Sequence, residues 1–136
     1  MTSRERVLAA LNHQEPDRVP IDLGGMRSTG IMAIAYNRLK KRLAMRGDDA
    51  HVYDVVQQLA QPEESILRFA QADVVDLGRA FRTDPEDWQD WTLPDGSGAK
   101  LPAGVKLRRE PEGHYLDAED GTVIGAMPKG ALYLSQ

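Results

Sequence analysis

Val19-Pro20-Ile21-Asp22-Leu23-Gly24-Gly25-Met26-Arg27-Ser28-Thr29-Gly30 is the stretch that decides the fold. Val19 to Leu23 is a short apolar run, which predicts a strand; Pro20 is tolerable near its start. Gly24-Gly25 ends that strand, and Ser28 or Thr29 can cap a helix after it. Ile31, Ile34, Ala35, Leu39 and Leu43 then supply an apolar face at helical spacing. Arg38, Lys40, Lys41, Arg42 and Arg46 crowd the C-terminal half, where cations favour the helix dipole, and Gly47 is a terminator. This basic run reads as a solvated helix face.

The flanks extend the pattern. Upstream, Thr2-Ser3-Arg4-Glu5 has the form of a capping box, with Val7, Leu8 and Leu11 on one face of the helix it opens. That helix should stop near His13, because a residue preceding proline, as in Glu15-Pro16, resists helical geometry. Downstream, His51 to Leu59 fits strand or helix. Pro62 suits the first position of a further helix, with Glu63 and Glu64 in its first turn and Ile66, Leu67 and Ala70 on its inner face. Asp73-Val74-Val75-Asp76-Leu77 predicts a second strand, closed by Gly78. Strand, helical crossover and strand together predict a parallel βαβ unit.

The character changes near residue 82. Trp88 and Trp91 sit in an acidic stretch, at a spacing that puts both on one helical face. Pro94-Asp95-Gly96, Pro111-Glu112-Gly113 and Glu119-Asp120-Gly121 are turn signals. They separate runs that read as strands: Val105–Arg109, His114–Asp117, Thr122–Ala126 and Ala131–Leu134. The expected fold is α/β, or α+β in isolation. Residues 1–82 supply helix, strand, helix, helix and strand; residues 83–136 supply the acidic Trp segment and an antiparallel meander, the whole forming a single or incomplete domain.

Composition narrows the function. Of 136 residues, 41% are hydrophobic and 28% charged, which favours a packed chain over disorder, and the net charge of -4 argues against a nucleic-acid partner. No apolar run approaches the roughly 20 residues of a membrane helix, and the N-terminus lacks the pattern of a secretory signal. Without cysteine, disulfides, thiolate zinc sites and Cys nucleophiles are excluded within the chain. A cytoplasmic location is expected. His13, His51 and His114 show no metal-ligand spacing, so no metal ligand is assigned.

Two strand ends carry the chemistry. Gly24 and Gly25 allow close backbone approach, and Arg27 beyond them can pair with a carboxylate. Asp76-Leu77-Gly78-Arg79-Ala80 repeats the layout, with Arg79 as a second carboxylate binder. Asp22 and Asp76 lie inside apolar runs, where an unpaired carboxylate is costly, so each has a partner or a role. The substrate-binding candidates are therefore Asp22, Gly24, Gly25, Arg27, Asp76 and Arg79, weighed against a plain capped turn and ion pairs at a rim. No catalytic residue is identified.

Ser3-Arg4-Glu5-Arg6-Val7-Leu8-Ala9-Ala10-Leu11-Asn12, followed by Pro16-Asp17-Arg18-Val19-Pro20, resembles the opening of uroporphyrinogen decarboxylase-family proteins. Asp54-Val55-Val56-Gln57-Gln58-Leu59-Ala60, Asp73-Val74-Val75 and Met127-Pro128-Lys129-Gly130-Ala131-Leu132-Tyr133 resemble later blocks. The resemblance is closest to the corrinoid-linked methyltransferase branch. It implies the N-terminal part of a (β/α)₈ TIM barrel with its site at the strand ends, and zinc and a corrinoid in a complete protein. A full barrel takes about 250 residues. The expectation is thus an N-terminal part or split subunit that needs a C-terminal barrel half or forms a homo-oligomer. The implied activity is corrinoid-dependent methyl transfer to or from a small methylated substrate. The alternatives are decarboxylation of a tetrapyrrole carboxylate and a non-catalytic binding or assembly module.

Overall fold

The computed structural model describes residues 1–45, 47 and 49–135, so Arg46 of the expected basic run lies outside the described residues. The elements are α1 (Ser3–Leu11), β1 (Ile31–Met32), α2 (Ala33–Arg42), β2 (Ala50–Asp54), β3 (Leu59–Ala60), α3 (Glu64–Phe69), β4 (Trp88–Thr92), β5 (Gly98–Pro102), β6 (Lys106–Glu110), β7 (Gly113–Asp117) and β8 (Val123–Pro128), with 3₁₀ turns at Arg27–Thr29, Leu77–Phe81 and Pro85–Asp87. The fold is α+β. A five-stranded mixed sheet runs in the order β1-β3-β2-β5-β4, a three-stranded meander in the order β6-β7-β8, and among the described residues no barrel closes.

The helices end in one way. His13, Ala44 and Gln71 each take a positive φ, of 56°, 50° and 54°. In each case the next residue's N–H reaches back to close the end: Gln14 to the Ala9 carbonyl, Met45 to Lys40 and Ala72 to Leu67. This is the left-handed closure usually given to glycine. Ala44 therefore ends α2, ahead of the expected Gly47. The other end of α2 also differs from expectation. Gly30 is extended, with ψ 159°, and Ile31 and Met32 pair with Ala60 and Leu59, so the helix starts at Ala33 instead of at a Ser28 or Thr29 cap.

α1 has its expected capping box: Thr2 Oγ1 accepts from the Glu5 N–H at 3.2 Å, and Glu5 accepts from the Thr2 N–H at 2.8 Å. Its inward face is not the expected one. Leu8 and Leu11 point outward, and Arg6 and Ala9 are buried. Charge decides this orientation: Arg6 lies 2.6 Å from Asp17 Oδ1 and 2.5 Å from Asp73 Oδ1, and an unpaired guanidinium could not be buried there.

The two expected strands are reduced to one parallel bridge, Asp22 with Val74. The Asp73 N–H donates to the Ile21 carbonyl, and the Ile21 N–H to Asp73 Oδ2. The longer parallel pairing is β2 with β5, Ala50 opposite Ala99 and His51 opposite Lys100. The five-stranded sheet thus draws on both sides of residue 82. Trp88 and Trp91 lie in β4, an antiparallel partner of β5, so their three-residue spacing puts them on opposite faces: Trp88 meets His51 edge-on and Trp91 meets His114. Ala131–Leu134 forms no strand; only Ser135 bridges Ala126.

The core joins Ile34 and Tyr36 of α2, Val52 of β2, Ile66 of α3, Leu93 and Leu101. Tyr36 is fully buried, and its hydroxyl accepts the Glu63 N–H at 2.8 Å at the start of α3. Burial pushes that hydroxyl's pKa up to about 12, so it stays protonated at neutral pH. Tyr36→Phe should cost about 1–2 kcal/mol, because the Glu63 N–H loses its acceptor while the ring still fills the core; a urea titration measures it.

Candidate functional site

The bridge between Asp22 and Val74 sets the two strand ends side by side, so the loops after them leave in the same direction. In the first loop, Asp22 Oδ1 accepts the Gly25 N–H at 2.6 Å. Gly24 has φ 77°, and a Cβ there would stand 2.9 Å from Pro62 Cγ; one on Gly25 would stand 2.6 Å from Asp22 Oδ1 and 2.8 Å from Val74 Cγ1. Both glycines are therefore accounted for by close packing where the loop crosses Val74 and Pro62. In the second loop, Asp76 Oδ1 accepts the Gly78 N–H at 3.0 Å and opens the 3₁₀ turn Leu77–Phe81. Each aspartate expected to need a partner has one in its own loop.

The arginines part company. Arg79 donates to the Pro62 carbonyl and lines a cleft of about 780 Å³ with Arg82, His51, Trp88, Glu63 and Asp49. Arg27 lies elsewhere. Its Nε stands 2.9 Å from Asp54 Oδ2, at the end of β2, with the carboxylate buried and the arginine side chain 74% exposed.

Asp54 was not singled out in the sequence; it pairs with Arg27 by charge alone, since its Oδ2 has no hydrogen-bond partner among the described residues. On β2, Ala50, Val52 and Asp54 share the buried face at period two. The other Asp54 oxygen, Oδ1, accepts the Gln57 N–H at 2.9 Å. The next residue back, Tyr53, has a buried hydroxyl without a hydrogen-bond partner among the described residues. Burial pushes its pKa up; Asp54, Asp76 and Asp22 push the same way and Arg27 opposes them. The structure thus sets Arg27 against Asp54 and lets the charges of Asp22, Arg27 and Asp76 act on Tyr53, while Arg79 lines the separate cleft. A carboxylate at period-two spacing in an apolar strand was the signal available for Asp54; Tyr53 had none.

The phenol, the exposed guanidinium and the carboxylates of Asp22, Asp54 and Asp76 make a polar corner in which three acidic groups act on Tyr53 and one arginine opposes them. The histidines are spread over the turn after α1, β2 and β7. Burial and the charge of Arg109 lower the pKa of His114. Among the described residues no group of three His, Asp or Glu side chains is placed to hold a metal ion, and no helix is long and apolar enough to cross a membrane. No family model, curated protein or solved structure matches this chain.

Proposed function

We propose that the chain is the N-terminal part, or a split subunit, of a uroporphyrinogen decarboxylase-like enzyme whose activity is corrinoid-dependent methyl transfer. The observation that carries this reading is the parallel pairing of the two strand ends at Asp22 and Val74. On this reading Asp22, Gly24, Gly25, Arg27 and Asp76 would share one rim, as the substrate-binding loops of a barrel do. The apolar side chains beside that pair support the reading. Val19 and Leu77 are 79% exposed and Val75 60%, whereas parallel strands in barrels are covered on both faces. A further run of strands would cover them.

Zinc and a corrinoid do not fit the donors present in this chain, which has no cysteine and, among its described residues, no metal-ligand group. A partner barrel half would have to hold both. This chain's share is to bind and orient an anionic substrate at Arg27, with Arg79 in the neighbouring cleft. The separation of those two arginines favours methyl transfer over a tetrapyrrole decarboxylase that grips several carboxylates at one place.

The test is reconstitution. The chain is mixed with a chain supplying the remaining strands, zinc and methylcobalamin, and methyl transfer to a thiol is followed. Turnover that depends on both chains is the expected result, with loss of most of it in Arg27→Ala. No turnover with both present rules out methyl transfer. Carboxylate loss from uroporphyrinogen in the same mixture would favour the decarboxylase, and stable assembly without either reaction would favour a binding module.

A further inference from the structure

One face of the meander is turned toward the five-stranded sheet. In the register of β6 and β7, Leu107 stands opposite Leu116 and Arg109 opposite His114, so at period two these four share a face. Leu107 packs against the core, which turns that face inward. At its end Arg109 reaches across the seam. Its Nη2 donates to the Thr92 carbonyl at the end of β4 at 3.0 Å, and its Nε donates to His114 Nε2 at 3.1 Å. The guanidinium carbon lies 5.9 Å from the centre of the Trp91 ring, and Trp91 meets the His114 ring edge-on at 5.2 Å. The seam borders a pocket lined by Leu93 and Pro94 from the sheet side and by Pro111, His114 and Pro128 from the meander.

The bond from Arg109 requires a neutral ring with its proton on Nδ1, because an imidazolium has two N–H donors and no acceptor. Protonation sets donor against donor and one cation against another. We infer that Arg109 and His114 form an acid-sensitive latch, which holds the meander to the sheet while His114 is neutral and releases that end when the ring takes up a proton. The surroundings do not offset the change. β8 places uncharged Met127 opposite the ring, β4 brings Trp91, and the β4 carboxylate Asp90 is paired with Lys100. Glu110 and Lys129, of opposite charge, line the same pocket. Burial and the charge of Arg109 hold the imidazole below its ordinary value of 6.5. Closure is therefore fully favoured above that value and weakens as pH falls from it to the lower value of the closed form. Release is local, because Gln89 Nε2 donates to the Val105 carbonyl before the meander and the Leu134 N–H to the Val56 carbonyl after it. The latch does not depend on the strand-end rim.

The test follows the full ¹³C,¹⁵N-labelled chain by NMR from about pH 8 to about pH 4. At the upper end the Arg109 side chain should give NOEs to the Trp91 ring. The His114 ring should titrate with a midpoint below 6.5, and the Leu93 amide, in the peptide whose carbonyl takes Arg109, should move with the same midpoint. Below it the NOEs between Arg109 and Trp91 should be lost. Arg109→Ala should bring the His114 midpoint up toward 6.5. His114→Gln, whose amide oxygen can take the Arg109 bond without titrating, should keep the NOEs to the acid end. A ring still neutral at the acid end, a midpoint unmoved by Arg109→Ala, or NOEs that persist once His114 is protonated would each overturn the latch. So would their loss in His114→Gln, since acid would then act through another group. If His114→Gln does not fold, the wild-type chain decides: a Leu93 midpoint that differs from that of His114 overturns the latch.

Discussion

Asp73→Ala is expected to lower the unfolding free energy by about 3 kcal/mol in a urea titration, the cost of stripping a buried ion pair of one partner. The Asp73 side chain has no exposed surface. It takes Arg6 Nη1 at 2.5 Å, Arg18 Nη1 at 2.7 Å and the Ile21 N–H at 2.9 Å. Its loss leaves buried Arg6 with Asp17 and the Met1 carbonyl, and the Ile21 N–H without an acceptor. It also frees α1 from the strand ends, since Arg6 is what turns that helix inward. Asp17→Ala should cost less, because Asp17 is 42% exposed and its place can be taken by water.

Acid should act through the same pair. Burial would raise the Asp73 carboxyl, but the Ile21 N–H, Arg18, Ser3 and Arg6 outweigh it and hold the group well below its ordinary value of 3.8. The unfolded chain therefore takes up the proton first. The stabilisation is fully present above the ordinary value and is lost as pH falls through the lower folded one. The gap between wild type and Asp73→Ala should narrow in urea titrations below about pH 3.

What the sequence made legible was local. The capping box at Thr2, the end of the first helix near His13 and the turns at Pro94, Pro111 and Glu119 follow from backbone chemistry within a few residues, and they appear in place. The misreadings share one cause, which is that a distant partner overrode a local pattern. Leu8 and Leu11 form an apolar face that should be inside, but Arg6 is tied to Asp73, far along the chain, and turns them outward. Trp88 and Trp91 have helical spacing, yet pairing with β5 flattens them into a strand. Val19 to Leu23 and Asp73 to Leu77 read as strands because they are apolar, but pairing with each other alone supports one bridge. The candidate site shows the same limit. Asp22 and Asp76 were visible as carboxylates in apolar runs, whereas Asp54 mattered only once Arg27 was seen to fold back onto β2.

Leu77→Ser with Phe81→Ser is expected to weaken self-association, or capture of a barrel-completing chain, by about a hundredfold, with little change in the chain's own unfolding midpoint. Both side chains stand in the 3₁₀ turn after the second strand end, 79% and 77% exposed, so removing them takes nothing from the chain's core. Burying each would be worth about 1.5–3 kcal/mol, which sets the size of the effect. The neighbouring elements add to the exposed surface: Val19 and Ile21 before the first strand end, Val75 after the bridge, and Leu8 and Leu11 on α1. Isolated exposed leucines are ordinary, but an apolar series along two paired strand ends is the mark of a face that something covers. Light scattering over a concentration series decides the matter. A wild-type mass that climbs above the monomer while the double variant stays at it supports a covered face. A wild type that stays monomeric throughout and also leaves a completing chain uncaptured would mean that these side chains face water by design. The barrel reading would then lose its second support.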